Sequence, residues 1–360
     1  MLLAGSMAAA LLAGCGNKET EDPSANAGAN EENSGDYHFE VLVKSFQSTY
    51  WQASKQGIDE AAEELGVTVN TMGPNAESDI ADQINMLNNA INLEPDGIAL
   101  AACDTNAVLE SLQTALEREI PVVCFGTGVP DAPEGSVYAT VATDNEAAGA
   151  IAGEKLYEAV KDQIAQADGP VRIGEVNQDA TAADIIGRGV GFIDKFKELA
   201  EADGYTVAVV GNERFVNEIE NNGDETSADI IIEVAVPAQT TVELSATEAS
   251  NIMNKEDTIA IFGSNQVTAE GILTANQNLD VLTTDIIAVG FDAGTTVKAA
   301  VADGTLLGAV TQAPVDQGRV AIETLYDICE GKEVSDTQTD CYWYDAENME
   351  EPDIAPNLYD

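Results

Sequence analysis

The chain has 360 residues, about the length of two average domains, and 44% of them are hydrophobic, which is enough to form folded cores. Its 64 Asp and Glu against 15 Lys and Arg give a formal net charge of −49. A surface this negative repels nucleic acid and anionic lipid headgroups, so we exclude both as partners. One His, five Cys and the lack of any Cys-x-x-Cys pair argue against a metal site, and we predict no cofactor.

Residues 1–14 have the pattern of an export signal. The stretch MLLAGSMAAALLA is too short to span a bilayer but is typical of the apolar core of a signal peptide. It leads into Leu12-Ala13-Gly14-Cys15, which looks like a lipobox, the motif whose cysteine receives a diacylglycerol. No Lys or Arg precedes the apolar core, which departs from the usual pattern. We predict lipidation at Cys15 and a location on the outer face of the bacterial cell membrane.

The segment that follows Cys15 is polar and acidic and contains almost no bulky apolar side chains. Such a composition cannot bury enough apolar surface to order the chain. Residues 15–36 are therefore predicted to be a lipidated cysteine and a disordered tether that holds a folded domain beside the membrane.

Beyond the tether, short runs rich in Val and Ile alternate with amphipathic segments. The runs are hydrophobic almost throughout, which is typical of parallel strands buried on both faces. Helical spacing of apolar residues between the runs, with Asp79 and Asp144 as N-caps, predicts an α/β fold with two doubly wound parallel sheets. The predicted strands span residues 39–43, 67–72, 97–101, 121–125, 137–141, 171–176, 205–211, 230–236, 258–263, 286–291 and 306–310.

Ligands of open parallel sheets bind beyond the carboxyl ends of the strands. In this chain those ends are rich in amides, hydroxyls and aromatic rings, which suit a polyhydroxylated ligand. A single polar loop end is more often simply solvated, so it is the recurrence at seven strand ends that predicts a binding site. The stretches are 44–51, 102–106, 126–128, 177–179 leading to Arg188, 264–266, Asp292 and Gln312.

Arg188 lies early in a predicted helix, where the helix dipole disfavours a cation. The side chain therefore needs a partner. The candidates are a bound ligand or a salt bridge to Asp184 or to a residue of the neighbouring lobe.

Six motifs follow one another along the chain, namely Tyr50-Trp51, Ala142–Asn145, Arg188–Phe192, Ile261–Asn265, Val289–Asp292 and Thr311-Gln312. Taken in this order, they resemble the periplasmic binding proteins of the ribose- and galactose-binding type, over about residues 39–335. The resemblance implies two lobes crossed three times by the chain, the type I arrangement, closing on a ligand like a hinged trap. The first lobe would comprise residues 37–143 and 313–336, and the second lobe residues 144–312 and 337–360.

The resemblance also implies roles for individual residues. Tyr50 and Trp51 would stack on a sugar ring. Lys44 stands where ribose binders carry a small hydroxyl residue. The residues that would bond ligand hydroxyls from the second lobe and the hinge are Arg188, Asn265, Asp292 and Gln312.

Two positions of the first lobe depart from the family pattern. Gly126-Thr127 replaces an expected Asp, and Ala101 stands where a polar residue is common. The lobe then offers few fixed bonds beyond Lys44, Thr127 and the backbone, and a glycine adds volume at the strand end. These departures predict a ligand bulkier than ribose, or one with an acidic or carbonyl oxygen for Lys44. The alternative is that Lys44 points to solvent or pairs with Asp104.

The sequence thus predicts an extracytoplasmic substrate-binding lipoprotein of an ABC importer, with no catalysis of its own. Its ligand would be a small polar solute such as a sugar, and its partners would be the permease subunits. The alternative is a sensory receptor that presents its closed form to a signalling or chemotaxis partner. Cys329 and Cys341, twelve residues apart, could form a disulfide in an exported protein.

Overall fold

The computed structural model describes residues 37–360, so the predicted signal peptide, the tether and Cys15 lie outside the described residues. All eleven predicted strands form, each within two residues of its predicted bounds, and two short strands are added near the end of the chain. The strands are β1 His38–Leu42, β2 Thr68–Met72, β3 Gly97–Leu100, β4 Val122–Phe125, β5 Ala139–Thr143, β6 Val171–Val176, β7 Val207–Gly211, β8 Ile230–Ala235, β9 Thr258–Gly263, β10 Ile287–Phe291, β11 Gly308–Gln312, β12 Thr337–Thr339 and β13 Cys341–Tyr344.

Helices fill the intervals between the strands. Asp144 caps one of them as predicted, since its side chain accepts the N–H of Ala147, whereas the side chain of Asp79 makes no cap bond to its helix. None of the helices in residues 37–360 is long and apolar enough to cross a membrane. The helices are α1 Thr49–Leu65, α2 Ile80–Asn92, α3 Leu109–Glu117, α4 Asn145–Gln166, α5 Ala183–Ala202, α6 Glu213–Glu218, α7 Val242–Met253, α8 Gln266–Leu279, α9 Thr295–Ala302 and α10 Pro314–Cys329, with a 3₁₀ turn at Ala355–Asn357.

The strands form two sheets, which confirms the predicted α/β fold of two parallel lobes. The first sheet has the order β12-β5-β4-β3-β1-β2, and the second has the order β13-β11-β10-β9-β6-β8-β7. Every pairing is parallel except that of β13 with β11. Hydrophobic faces on both sides of each sheet pack against the helices, as buried parallel strands require.

One predicted lobe boundary is wrong. The predicted boundary puts residues 337–339 in the second lobe, but β12 pairs with β5 at the edge of the first sheet. Its sequence, Thr-Gln-Thr, is polar and lies at a partly exposed edge, so it lacks the hydrophobic run that marks the other strands. The chain crosses between the sheets after β5, after β11 and between β12 and β13, which gives the three expected crossings.

A single buried glutamine joins these crossings. Gln317, in the first turn of α10, donates from Nε2 to the hydroxyls of Thr143 and Thr339, both at 2.9 Å. Its Oε1 accepts the hydroxyl of Tyr50 at 2.5 Å. The ends of β5 and β12, the start of α10 and the first turn of α1 therefore share one hydrogen-bonded group.

The four cysteines within the described part of the chain are free. Cys329 ends α10 beside the first-lobe core, whereas Cys341 begins β13 in the second sheet. The possible Cys329–Cys341 disulfide is therefore not formed.

Helices α1 and α10 pack backbone to backbone because each presents a glycine, Gly57 or Gly318, to the main chain of the other. A Cβ added at Gly57 would lie 1.8 Å from the carbonyl oxygen of Val315, which only a backbone shift could relieve. We expect Gly57→Ala to lower the free energy of unfolding by about 1–3 kcal/mol, measured by urea denaturation. The matched control is Gly169→Ala, since nothing lies within 4 Å of its added Cβ. Equal losses in the two variants would contradict the close packing.

Candidate ligand-binding site

The structure brings seven of the eight predicted ligand-binding residues to one cavity between the lobes, here called the cleft cavity. It encloses about 20 Å³, room for roughly one water molecule. Six of them lie at or just after the carboxyl end of a strand or in the first turn of the helix after it, and Arg188 lies in the second turn of α5, which is why the strand-end rule led to them. The seven are Lys44, Tyr50, Trp51, Arg188, Asn265, Asp292 and Gln312, and the cavity is also lined by Ser48, Glu77, Asp184 and Ile185.

The eighth predicted residue, Thr127, does not line the cleft cavity. It is fully buried, and its hydroxyl accepts the backbone N–H of Asp184 at 3.3 Å. Because Thr127 belongs to the first lobe and Asp184 to the second, this bond connects the lobes beside the cavity. The structure therefore places Thr127 behind Asp184.

Lys44 forms a buried ion pair across the cleft. Its Nζ lies 2.7 Å from Oδ1 of Asp184, and the two side chains are 1% and 8% exposed. Burial alone would lower the pKa of Lys44, but the negative charges of Asp184, Glu77 and Asp179 outweigh burial and raise this pKa to about 12. Burial would raise the pKa of Asp184, but Lys44 and Arg188 hold this pKa below its usual value.

The alternative that Lys44 points to solvent or pairs with Asp104 is therefore wrong. Asp104 instead accepts the backbone N–H groups of Asn106 and Ala107, each at 2.8 Å. This local turn satisfies the carboxylate without a cation.

Arg188 finds its partners within the second lobe. Its guanidinium lies 3.8 Å from the ring centre of Phe291, a cation–π contact, and donates at 2.8 Å to the carbonyl oxygen of Ser264 and to Oδ1 of Asn145. The predicted alternative of a salt bridge to Asp184 is not formed, because that carboxylate is taken by Lys44. Nε of Arg188 is buried and has no hydrogen-bond partner.

The two aromatic residues of the cleft cavity are held tightly in place. Trp51 donates its indole N–H to Oε1 of Glu77 at 2.8 Å, and Tyr50 packs edge-on against Trp51 with 4.8 Å between ring centres. On its other side Tyr50 meets the ring of Tyr359 at 5.9 Å. Both cavity rings are at least nine-tenths buried, so their orientation is fixed before a ligand arrives.

The expectation that Gly126 leaves volume for a bulky ligand is wrong. A Cβ at Gly126 would lie 2.8 Å from Cη2 of Trp51, so the indole occupies the space that the missing side chain provides. The backbone of Gly126 also has a φ of 70°, which favours glycine. The departure from the family pattern at this position is thus explained by the packing of Trp51.

The second-lobe wall of the cleft cavity is a network of amides around one carboxylate. Asp292 accepts Nε2 of Gln312 at 2.7 Å and the backbone N–H of Gln266 at 3.1 Å. Asn265 caps α8 and donates to Oε1 of Gln178. Burial raises the pKa of Asp292, while the charge of Arg188 opposes that rise. Oε1 of Gln312 is buried and has no partner.

Sequence reasoning missed two carboxylates of the site. The sequence suggests Asp184 only as a partner of Arg188, although Asp184 lies in the first turn of the same helix. Glu77 lies in the loop after β2, five residues beyond the strand end, so a search of the residues directly after each strand does not reach it. A search that covers the whole loop between each strand and the next helix would have included Glu77.

Two parallel-sheet lobes, three crossings and a polar, aromatic cavity at the facing strand ends define a two-lobed solute-binding protein of the type I fold. The chain belongs to the periplasmic binding protein family, whose domain model matches residues 39–333. Membership in this family implies an extracytoplasmic location and agrees with the expectation that the chain binds its solute without transforming it.

Three relatives illustrate the match. The ribose import binding protein of Bacillus subtilis (strain 168) is 24% identical over 322 residues, covering 88% of this chain and 90% of that protein. A solved structure of an ABC transporter, LacI family transcriptional regulator, from Brachyspira murdochii is 31% identical with a TM-score of 0.74, covering 90% of this chain and 99% of that one. A solute-binding protein of an ABC transporter from Agrobacterium vitis, solved with bound D-fucose, is 27% identical with a TM-score of 0.74, covering 89% and 100%.

Proposed function

We propose that the protein is the extracytoplasmic solute-binding component of an ABC importer and that it binds a sugar in the cleft cavity. The observation that carries the proposal is the meeting of strand ends from both lobes around one cavity lined by aromatic rings, amides and carboxylates. The D-fucose bound to the similar Agrobacterium vitis protein supports a sugar as the solute.

The chemistry of the cleft cavity suits a polyhydroxylated ring. Hydrogen bonds fix both Asp292 and Asn265 in place. Asp292 keeps lone pairs that can accept ligand hydroxyls, and Asn265 keeps a second amide N–H that can donate to a hydroxyl oxygen. The indole of Trp51 offers an apolar surface beside them, on which the carbon face of a sugar can stack. Such pre-fixed groups lower the ordering cost of binding.

Binding requires the lobes to separate, since about 20 Å³ is far below the roughly 300–1,000 Å³ typical of small-molecule sites. The lobes meet through polar contacts that a ligand can replace. Besides the Lys44–Asp184 pair, Ser48 donates to Gln266 at 3.0 Å and Gln178 donates to Glu77 at 2.8 Å. The sugar would exchange these bonds for its own and shift the protein between open and closed forms.

The test is a calorimetric and thermal-shift screen over pentoses and hexoses, D-fucose included. A sugar present at 100 times its Kd stabilises the folded protein by about 2.7 kcal/mol, which the melting temperature reports. Trp51→Ala is expected to weaken binding of any hit at least about tenfold, because stacking area is lost. The control is Trp343→Ala, whose ring packs near Gly308 and does not line the cleft cavity. If no sugar of the screen binds, the proposal fails.

We also propose that Cys15 anchors the protein to the membrane, with the permease subunits of the importer as its partners. The support is the lipobox-like Leu12-Ala13-Gly14-Cys15 behind an apolar stretch. Cys15→Ala is expected to release the protein from the membrane fraction, because multiple acyl chains retain a lipoprotein where polar contacts do not. Fractionation with immunoblotting measures the release, and Cys15→Ala that remains in the membrane fraction would exclude the anchor.

A further inference from the structure

The cleft contains more carboxylates than cations. Asp184 and Asp292 are buried, Glu77 and Asp179 are half-buried, and only Lys44 and Arg188 lie among them. The ammonium of Lys44 is taken by Asp184. With all six groups ionised, the surroundings of the cavity carry two uncompensated negative charges. In the described part of the chain the one ion pair among the six is that of Lys44 with Asp184, so Glu77, Asp179 and Asp292 feel cations only at a distance.

Glu77 is a carboxylate shared by three neighbouring spaces of the cleft. It lines the cleft cavity and also two larger spaces that adjoin it, one of about 240 Å³ and one of about 300 Å³. The first, the Glu243 chamber, is also lined by Glu243 and Glu270, and the second, the Asp179 chamber, is also lined by Asp179. Among the residues that the structure describes, no Lys, Arg or His lines either chamber. Walls of one sign concentrate solutes of the opposite sign.

Hydrogen bonding at Glu77 leaves room for a further donor. Its Oε1 accepts the indole N–H of Trp51 and its Oε2 accepts Nε2 of Gln178, both at 2.8 Å. A carboxylate has about four lone-pair positions, so each oxygen can accept again. Burial raises the pKa of Glu77 although the charge of Lys44 opposes that rise, and a cationic ligand beside the carboxylate would oppose it further.

A second, independent observation comes from Gln312, which is 2% exposed and lines the cleft cavity. Its Oε1 is an acceptor without a partner, so it can accept an O–H or N–H from a ligand in the cavity. The unpartnered Nε of Arg188 is a donor in the same cavity, and a hydroxyl oxygen would satisfy it. Hydroxyl groups on the solute would satisfy both Oε1 of Gln312 and Nε of Arg188. A cationic group on the solute would offset the excess negative charge of the cleft carboxylates.

We propose that the solute is an amino sugar or a similar amino polyol whose protonated amine lies beside Glu77. This inference rests on the proposed function and names the charge of its solute. It replaces the expectation of an acidic oxygen for Lys44, because a carboxylate on the ligand would compete with Asp184 and face Glu77, Asp179 and Asp292.

The test is a charge series on fixed ring configurations. Calorimetry would compare D-galactose, D-glucose and D-mannose with their 2-amino-2-deoxy forms, the N-acetylated forms and the uronic acids, at a pH below the pKa of the amine. For at least one configuration, the amino form is expected to bind at least about tenfold more tightly than the neutral parent and the N-acetyl form, and the uronic acid more weakly than both. Raising the salt concentration should narrow the differences.

Two matched variants test whether Glu77 causes the preference for the amino form over the neutral form. Glu77→Gln removes one charge at the cavity and is expected to bring the ratio of amino-form to neutral-form affinity close to one. Glu243→Gln removes the same charge from an exposed side chain of the Glu243 chamber and should keep most of the ratio. Neutral sugars that bind at least as tightly as their amino forms in every configuration would overturn the inference, and so would a ratio that survives in Glu77→Gln. If no sugar of any charge binds, the proposed function fails instead.

Discussion

Replacing Asp184 with asparagine is expected to open the cleft of the ligand-free protein. The substitution removes the carboxylate that pairs with the buried ammonium of Lys44, and breaking one side of a buried pair costs about 3–5 kcal/mol. The lobes can avoid most of this cost by separating, so that Lys44 reaches water. Small-angle scattering should report a larger radius of gyration, and the melting temperature should fall.

The control for this variant is Asp59→Asn, which breaks the pair of Asp59 with Lys55 on the exposed face of α1. Pairs of this kind contribute about 0–1 kcal/mol, so the scattering curve and the melting temperature should stay close to those of the unsubstituted protein. An unchanged radius in Asp184→Asn would show that the ion pair does not hold the lobes together.

The same ion pair should respond to pH only near the extremes. The pKa of Asp184 is lowered, so its contribution to stability is complete above the unfolded-state value and is lost as the pH falls through the folded-state value. The pKa of Lys44 is raised to about 12, so its contribution is complete below the unfolded-state value and is lost as the pH rises through about 12. Lobe contact through this pair should therefore be constant around neutrality.

Arg188→Ala is expected to reduce affinity for the solute by about 2–4 kcal/mol, measured by calorimetry. The guanidinium presents an unpartnered Nε to the cavity, and its charge offsets those of Asp184 and Asp292. Its removal also leaves the carbonyl of Ser264 without this donor. Both the ligand contact and the shape of the second-lobe wall are lost together.

The matched control is Arg172→Ala in the same lobe. Arg172 is buried and pairs with Glu233 and Asp257, but it does not line the cleft cavity. This variant should lose stability while keeping its affinity for the solute. Equal affinities of Arg188→Ala and the unsubstituted protein would remove Arg188 from the site.

The features that could be predicted from the sequence are those that depend on local patterns, namely the strands and the residues at their ends. Buried parallel strands are recognisable in the sequence as hydrophobic runs. Residues such as Lys44 and Asp292 directly follow these runs, and the parallel topology places the ends of neighbouring strands at the same edge of a sheet. Their contacts with a ligand stay predictions.

Contacts between distant parts of the chain could not be predicted from the sequence. The Lys44–Asp184 pair joins residues 140 positions apart, and its existence depends on how the lobes face each other. The space at Gly126 was predicted from the missing side chain alone, whereas the indole that fills it comes from α1. Glu77 was missed for a related reason. It lies within the loop between β2 and α2, and only the three-dimensional path of that loop brings it to the cavity.

Trp51 lies between Gly126 and Glu77, so its fluorescence should depend on whether the cleft is occupied. The chain has two tryptophans, and the other, Trp343, lies on β13 with its indole N–H bonded to Asp345. Indole fluorescence follows the electric field across the ring, and Trp51 touches the carboxylate beside which the solute is proposed to bind. In a Trp343→Phe background the emission comes from Trp51 alone, so occupancy of the cleft can be followed in solution without any attached dye.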